Sequence, residues 1–285
     1  MISRRRFLTI LGASVLASPA KAAWQGRALG AEARLELSGA GAKEALHEVQ
    51  AILTRTEALF SLHDPASALA RLNRAGHLAP MPPEMASLFD LVDQVHDATR
   101  GAFDPTVQPV WRALAEGRPQ KAPIGWQHVS REGQTIHLGQ GQALTLNGIA
   151  QGWATDQVAR CLRQRGFGDL LVEVGEFAAL GGPFAVDIED PAHGRLATRR
   201  LTDRAIATSS PRATLVRGAP HIIGPEGQPA LWSTVSVEAP TATLADALST
   251  AFCLMPTAAI TAACAAIDQP IRVTLIDAAG NLSTL

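Results

Sequence analysis

The chain has 285 residues, 47% of them hydrophobic and 18% charged, with a formal net charge of −1. That length can bury an ample core, and the near-neutral balance gives no electrostatic reason to expect nucleic acid or an acidic membrane as partner. Three cysteines, Cys161, Cys253 and Cys264, are an odd number in apolar helical contexts, which reads as buried thiols without excluding one disulfide.

Residues 1–22 have the three parts of a secretory signal peptide: a basic start, Ser3-Arg4-Arg5-Arg6-Phe7-Leu8, an apolar run from Leu8 to Ala17, and Ala20-Lys21-Ala22 as a small-x-small cleavage site. The paired arginines before Phe-Leu have the form of a twin-arginine signal, so the expected location is the periplasm. The apolar run is too short for a ~30 Å hydrocarbon core, and no later segment reaches the ~20 apolar residues a spanning helix needs. The expectation is one domain over residues 23–285 that does not itself span a membrane.

Apolar residues alternate from Ala28 to Leu37, as in a half-buried strand, and recur at three-to-four spacing from Ala42 to Phe60, as in a core helix. A second helix is predicted from Pro82-Pro83-Glu84 to the stop at Gly101. Between about Pro105 and Gly141 periodicity fails and Gly, Pro and Gln accumulate, so irregular connections are expected, with a short strand at Thr135 to Leu138. A strand at Ala143 to Leu146 is expected to lead through Gly148 and Gly152 into a helix ending near Arg165. Strands at Leu170 to Val174, Phe184 to Ile188, Thr234 to Glu238 and Ile271 to Ile276, and helices at Leu244 to Met255 and Thr257 to Ala266, complete a mixed α+β unit.

Several segments carry chemistry-bearing residues. Glycines at the mouth of a helix, in Asn147 to Gly152, let backbone N–H groups approach a phosphate, although most such turns are merely tight. Asp246 and Thr250 lie four residues apart on one helical face, an oxygen pair suited to Mg²⁺, but a carboxylate capping its own helix is the commoner arrangement. His221 precedes a short apolar pair and a turn, where a histidine is more often a structural hydrogen-bonder than a base. Asp104, after a helix stop, suits a loop that caps its neighbours.

In chain order, Ala28-Leu29-Gly30-Ala31, Ser61-Leu62-His63 with Ser67 and Asn73, Gly101 to Val107, Asn147 to Trp153, His221 to Gly227 and Ala245 to Ala251 follow a known pattern. They resemble the FAD:protein FMN transferases of the ApbE family. The resemblance implies a mixed α/β, T-fold-related architecture with an FAD cleft between sub-lobes, lined by Gly30, His63, Ala102, Phe103, Asp104, Thr145, Gln151 and Ile223. It further implies Mg²⁺ held by Asp246, Ser249, Thr250 and the carbonyl of Gly148, and His221 as the base. The implied reaction moves FMN from FAD to a threonine of a partner protein, with AMP leaving, and the implied acceptor is a membrane-associated redox subunit. Gln151 stands where the family often has lysine, Gly224 where it has aspartate, His63 where tyrosine is usual, and Glu176 in place of a glycine. These departures leave open a flavin carrier without transferase activity, or an FAD pyrophosphatase giving FMN and AMP.

Overall fold

The computed structural model describes residues 21–118 and 123–285. The proposed signal segment lies outside the described residues except for Lys21 and Ala22, which open the first strand. Two strands, β1 (Lys21–Ala28) and β2 (Ala31–Ser38), form a hairpin, so the expected single strand is the second arm of a longer pair. Helix α1 (Ala42–Phe60) follows with the predicted bounds and buries Ala45, Val49, Leu53, Thr56 and Phe60 along one stripe. Next come α2 (Ala68–Ala75), β3 (His77–Leu78), α3 (Pro83–Ala98), α4 (Gln108–Glu116), β4 (Ser130–Glu132) and β5 (Thr135–His137). The second half holds α5 (Ala150–Gln164), β6 (Leu170–Val174), β7 (Phe177–Leu180), β8 (Phe184–Asp190), β9 (Gly194–Leu201), β10 (Ala205–Ser209), β11 (Leu215–Val216) and β12 (Ala219–Pro220). It closes with β13 (Thr234–Ala239), α6 (Ala242–Phe252), α7 (Thr257–Ile267), β14 (Arg272–Ile276) and β15 (Leu282–Thr284).

One antiparallel sheet, in the order β1-β2-β6-β7-β10-β13-β14-β15, organises the molecule. Helices cover one face and the β8–β9 ribbon covers the other. Strand β7 shows the reason for its unbroken apolar sequence: Ala178 and Leu180 join α1 and α5 in one core, whereas Phe177 and Ala179 join Val186, Ile188 and Leu201 in another. A strand buried on both faces loses the polar alternation of a half-exposed one. The largest core gathers α2, α3, α6, α7 and the start of α5.

Two expectations are corrected here. The stretch expected to be irregular contains α4, which starts with Pro109 in its first turn and ends at Gly117 in the left-handed region, the terminal chemistry of a short helix. Conversely, Ala143 to Leu146 forms no strand. Asn73 takes the place of a partner strand: its amide donates to the Leu144 carbonyl at 2.8 Å and accepts from the Leu144 N–H at 2.7 Å. The three cysteines are free thiols; Cys253 is buried, while Cys161 and Cys264 are only partly so. Among the described residues no helix is long and apolar enough to cross a membrane.

Candidate functional site

The site is built where α5 and α6 cross antiparallel. Gly148 lies against Thr250, Gly152 against Asp246, and Asp156 against Ala242, so each step up one helix is a step down the other. The approach is possible only because side chains are missing. A Cβ on Gly152 would sit 2.2 Å from the Ala242 carbonyl oxygen and 2.8 Å from Asp246 Cβ, and one on Gly148 would sit 2.8 Å from Thr250 Oγ1.

Asp246 does not cap its own helix. Thr241 does that, its hydroxyl accepting from the Leu244 N–H, and Asp246 instead accepts from the Gly152 N–H of α5 at 3.0 Å. In this way α6 supplies the cap that α5 lacks, since Ile149 at its N-cap has no side-chain acceptor. Burial pushes the Asp246 carboxyl up to about 7, against the lowering effect of the Gly152 N–H and with a further rise from the charge of Asp156. A buried carboxylate so placed favours a cation beside it.

The remaining oxygens converge on the same point. Ser249, fully buried, donates to the Asp246 carbonyl at 3.0 Å, and Ser209 at the end of β10 lies 2.8 Å from the Ser249 hydroxyl and 3.5 Å from that of Thr250. One carboxylate with hydroxyl and carbonyl oxygens is a donor set for a hard cation that takes its other ligands from water and phosphate. Among the described residues no group of three or more His, Cys, Asp or Glu side chains gathers as metal ligands would.

His221 is tied to this point through the backbone. Its Nδ1 lies 2.9 Å from the carbonyl of Pro211 and 3.2 Å from that of Thr214, and its N–H donates to the Pro211 carbonyl. Carbonyls only accept, so Nδ1 carries the proton and the lone pair of the neutral ring is on Nε2. Pro211 follows Ser209 by two residues, a reach of at most ~7 Å between Cα atoms. Beyond Ile223 the turn is closed in an unusual way. Gln228 folds over Gly224, where a Cβ would meet it at 2.2 Å, and its Oε1 accepts from the Glu226 N–H at 2.8 Å. Gln228 thus closes the turn in which Gly224 stands where the family has aspartate.

The tip of that turn, Pro225 to Gly227, forms one wall of a cleft of about 840 Å³ whose other walls include His96, Arg100, Gly101, Asp104 and Gln127. Of the Gly101-Ala102-Phe103-Asp104 segment, Gly101 and Asp104 face this cleft. Phe103 is buried in the main core, and Ala102 packs against it. The Asp104 carboxylate accepts from the Thr106 N–H and hydroxyl at 2.8 and 2.6 Å and from the Trp126 N–H at 3.2 Å, the loop-capping arrangement its position suggested. Thr145 is bound to the same segment through the Pro105 carbonyl at 2.8 Å. Gln151 reaches the Leu29 carbonyl at 3.4 Å, which brings it beside Gly30 in the β1–β2 turn. His63 is exposed on the loop before α2, and its N–H bonds locally to Ser61. Glu176 is buried and accepts from the Thr208 N–H at 3.3 Å, taking over the pairing of β10 where β7 begins.

Residues 29–275 match the model of the ApbE family. This chain belongs to the ApbE family. It is 30% identical to the FAD:protein FMN transferase of Klebsiella pneumoniae, with 85% of this chain and 84% of the relative covered, and 29% identical to that of Salmonella typhimurium, with 85% and 80% covered. Among solved structures it is similar to the apo ApbE flavinyl transferase of Pseudomonas stutzeri, at 26% identity, TM-score 0.78, and 95% and 96% coverage. The fold is shared with the ApbE protein of Thermotoga maritima, at 22% identity and TM-score 0.81, with 93% and 96% coverage.

Sequence reasoning missed Asp156, Ser209 and Gln228. The first had a legible signal, because Gly152-x-x-x-Asp156 and Ala242-x-x-x-Asp246 repeat the same small-residue and aspartate spacing on both helices. Ser209 and Gln228 had none, since each acts on a residue far away in sequence or through a side chain folded back on its own turn.

Proposed function

We propose that this ApbE-family chain transfers FMN from FAD to a threonine hydroxyl of a partner protein, with Mg²⁺ at the α5–α6 crossing. The observation that carries the reading is the convergence of the Gly148 backbone, Asp246 and Thr250 at the mouth of α5. The names of the relatives support flavin transfer to protein. Asp246, Ser249, Thr250 and the Gly148 carbonyl would hold the cation, with the Ser209 hydroxyl beside those of Ser249 and Thr250. When bound, Mg²⁺ supplies positive charge against the pyrophosphate oxygens.

The threonine oxygen forms a bond to the FMN-side phosphorus while the bond from that phosphorus to the bridging oxygen breaks and AMP departs. His221 accepts the hydroxyl proton at Nε2, its ring held by Nδ1 donating to the carbonyl of Pro211. The first-turn N–H groups of α5 add further positive potential toward phosphate. FAD would enter the cleft at Asp104 and run past Thr145 and Gln151 toward Gly30, with His63 and Ile223 at its margins and Ala102 and Phe103 supporting its floor from the core. The Ser-Arg-Arg-x-Phe-Leu start supports export by the twin-arginine route to the periplasm, where a membrane-associated redox subunit is the acceptor we propose.

The test mixes the protein with FAD, Mg²⁺ and a threonine-bearing acceptor domain, followed by a denaturing gel viewed under ultraviolet light. A fluorescent acceptor band that disappears with EDTA and with Asp246→Ala is expected. A dark acceptor beside bound FAD would replace the transferase with a flavin carrier, and accumulation of free FMN and AMP would replace it with a pyrophosphatase.

A further inference from the structure

Helices α5 and α6 exchange caps. Asp246 of α6 accepts from the Gly152 N–H in the first turn of α5, and Asp156 of α5 accepts from the Ala242 and Thr243 N–H groups, each at 2.8 Å, in the first turn of α6. The Thr243 hydroxyl also donates to Asp156. Each helix carries a small residue and, four positions on, an aspartate, and each aspartate binds the small residue of the other helix. This exchange ties the two helices axially at two points one turn apart, which apolar packing of alanines and a glycine does not do. Small residues offer a smooth surface along which one helix can slide past the other.

We infer that Asp156 is a positioning residue for the reaction site. It touches none of the proposed reacting groups. By fixing how far α6 is advanced along α5, it sets where Thr250 and Asp246 stand against Gly148 and Gly152. A slip of one residue along a helix is ~1.5 Å, and an error of ~1 Å in a reaction site costs on the order of 10²-fold in rate. Burial raises the Asp156 carboxyl above its usual range, against the lowering effect of its hydrogen bonds from Thr243 and Ala242. The function of the site rests on the transferase reading, whereas the positioning of the helices does not.

The experiment compares Asp156→Ala with Thr241→Ala in the full chain. Thr241 is the exposed N-cap of α6 itself and its hydroxyl accepts from the Leu244 N–H, so its loss weakens the same helix end while leaving the Asp156 and Asp246 bonds in place. Both variants should lower Tm. Only Asp156→Ala should speed hydrogen exchange at the Gly152 amide relative to the rest of α5, and only it should weaken FAD binding in the presence of Mg²⁺, by about tenfold or more. Asp156→Asn, which keeps an acceptor oxygen, should recover part of both. Equal Gly152 exchange in the two alanine variants overturns the inference, as does equal FAD affinity when the wild-type chain binds FAD with Mg²⁺. If the wild-type chain binds none, the transferase reading falls and the exchange comparison alone decides the role of Asp156.

Discussion

Gly152→Ala sets two effects of known size against each other. Alanine is the better helix former by ~1 kcal/mol in a helix interior, and Gly152 lies in the first turn of α5. Its Cβ, however, would stand 2.2 Å from the carbonyl oxygen and 2.6 Å from the carbonyl carbon of Ala242, backbone atoms that cannot rotate aside. Restoring a contact of ~3.5 Å requires the helices to part by about 1 Å, and overpacking of this kind costs ~1–3 kcal/mol. The same movement stretches the 3.0 Å bond from Gly152 to Asp246 beyond useful length, and a hydrogen bond to a charged group contributes ~1.5–3 kcal/mol. The losses win, with a net destabilisation of about 2 kcal/mol or more, which for a chain of this size lowers Tm by roughly 5 °C. Thermal unfolding followed by circular dichroism measures it. Gly168→Ala is the control, because nothing lies within 4 Å of a Cβ there. A Gly152→Ala protein as stable as wild type, with undiminished FAD binding, would refute the close-crossing argument.

Three further outcomes are expected. Gly224→Ala should destabilise the His221 turn because its methyl meets Gln228, and should become nearly harmless in a Gln228→Ala background; additive losses in a double-mutant cycle would show that the two do not share the space. Burial raises the Asp190 carboxyl, but bonds from Ser233, Thr234, Ala192 and His193 outweigh it and hold its pKa below the usual 3.8. A depressed carboxylate stabilises the fold above about pH 4 and loses that contribution as pH falls through its folded pKa, so Asp190→Asn should flatten the acid limb of a urea-stability profile; an unchanged limb would discount the network. His221→Ala should slow transfer by ~10²–10⁴-fold with a much smaller change in FAD affinity, and equal losses in both would make it a binding residue.

What the sequence disclosed depended on whether the determining contacts were local. The bounds of α1 were readable because its buried stripe repeats at the helical period, whereas α6 and α7 were recognised from their alanine-rich composition, and α6, buried on nearly every side, starts two residues earlier and ends three earlier than expected. Helix α2 was overlooked: eight residues with only Ala68, Leu69 and Leu72 buried make too short a pattern, and its start depends on the Ser67 hydroxyl accepting from Ala70. The extended stretch around Leu144 reads as a strand, yet Leu144 bonds to an asparagine side chain some 70 residues upstream and Thr145 to the Pro105 carbonyl, pairings that no window of sequence reveals. At the site, spacing alone favoured an Asp246 that caps its own helix, and Asp246, Ser249, Thr250 and Gly148 were named together only through the family resemblance. That Asp246 serves the other helix became visible only when the crossing was in view, because intrahelical spacing is equally compatible with capping at home.

The order of strands also sets a schedule for folding. Strands β6 and β7 and strands β13 and β14 pair near neighbours in sequence, but β2 must find β6, joining Ala33 to Val174 across about 140 intervening residues. Contacts between such distant partners are slow to form, since the entropy of closing the loop is lost before the pairing returns anything. The β1–β2 hairpin packs on α1 as soon as that helix forms, but it finds its partner in the sheet only once β6 has been made, and its turn at Leu29 reaches Gln151 only when α5 is in place. The contact between the β1–β2 turn and the first turn of α5 is therefore completed late in folding, a kinetic consequence of the strand order.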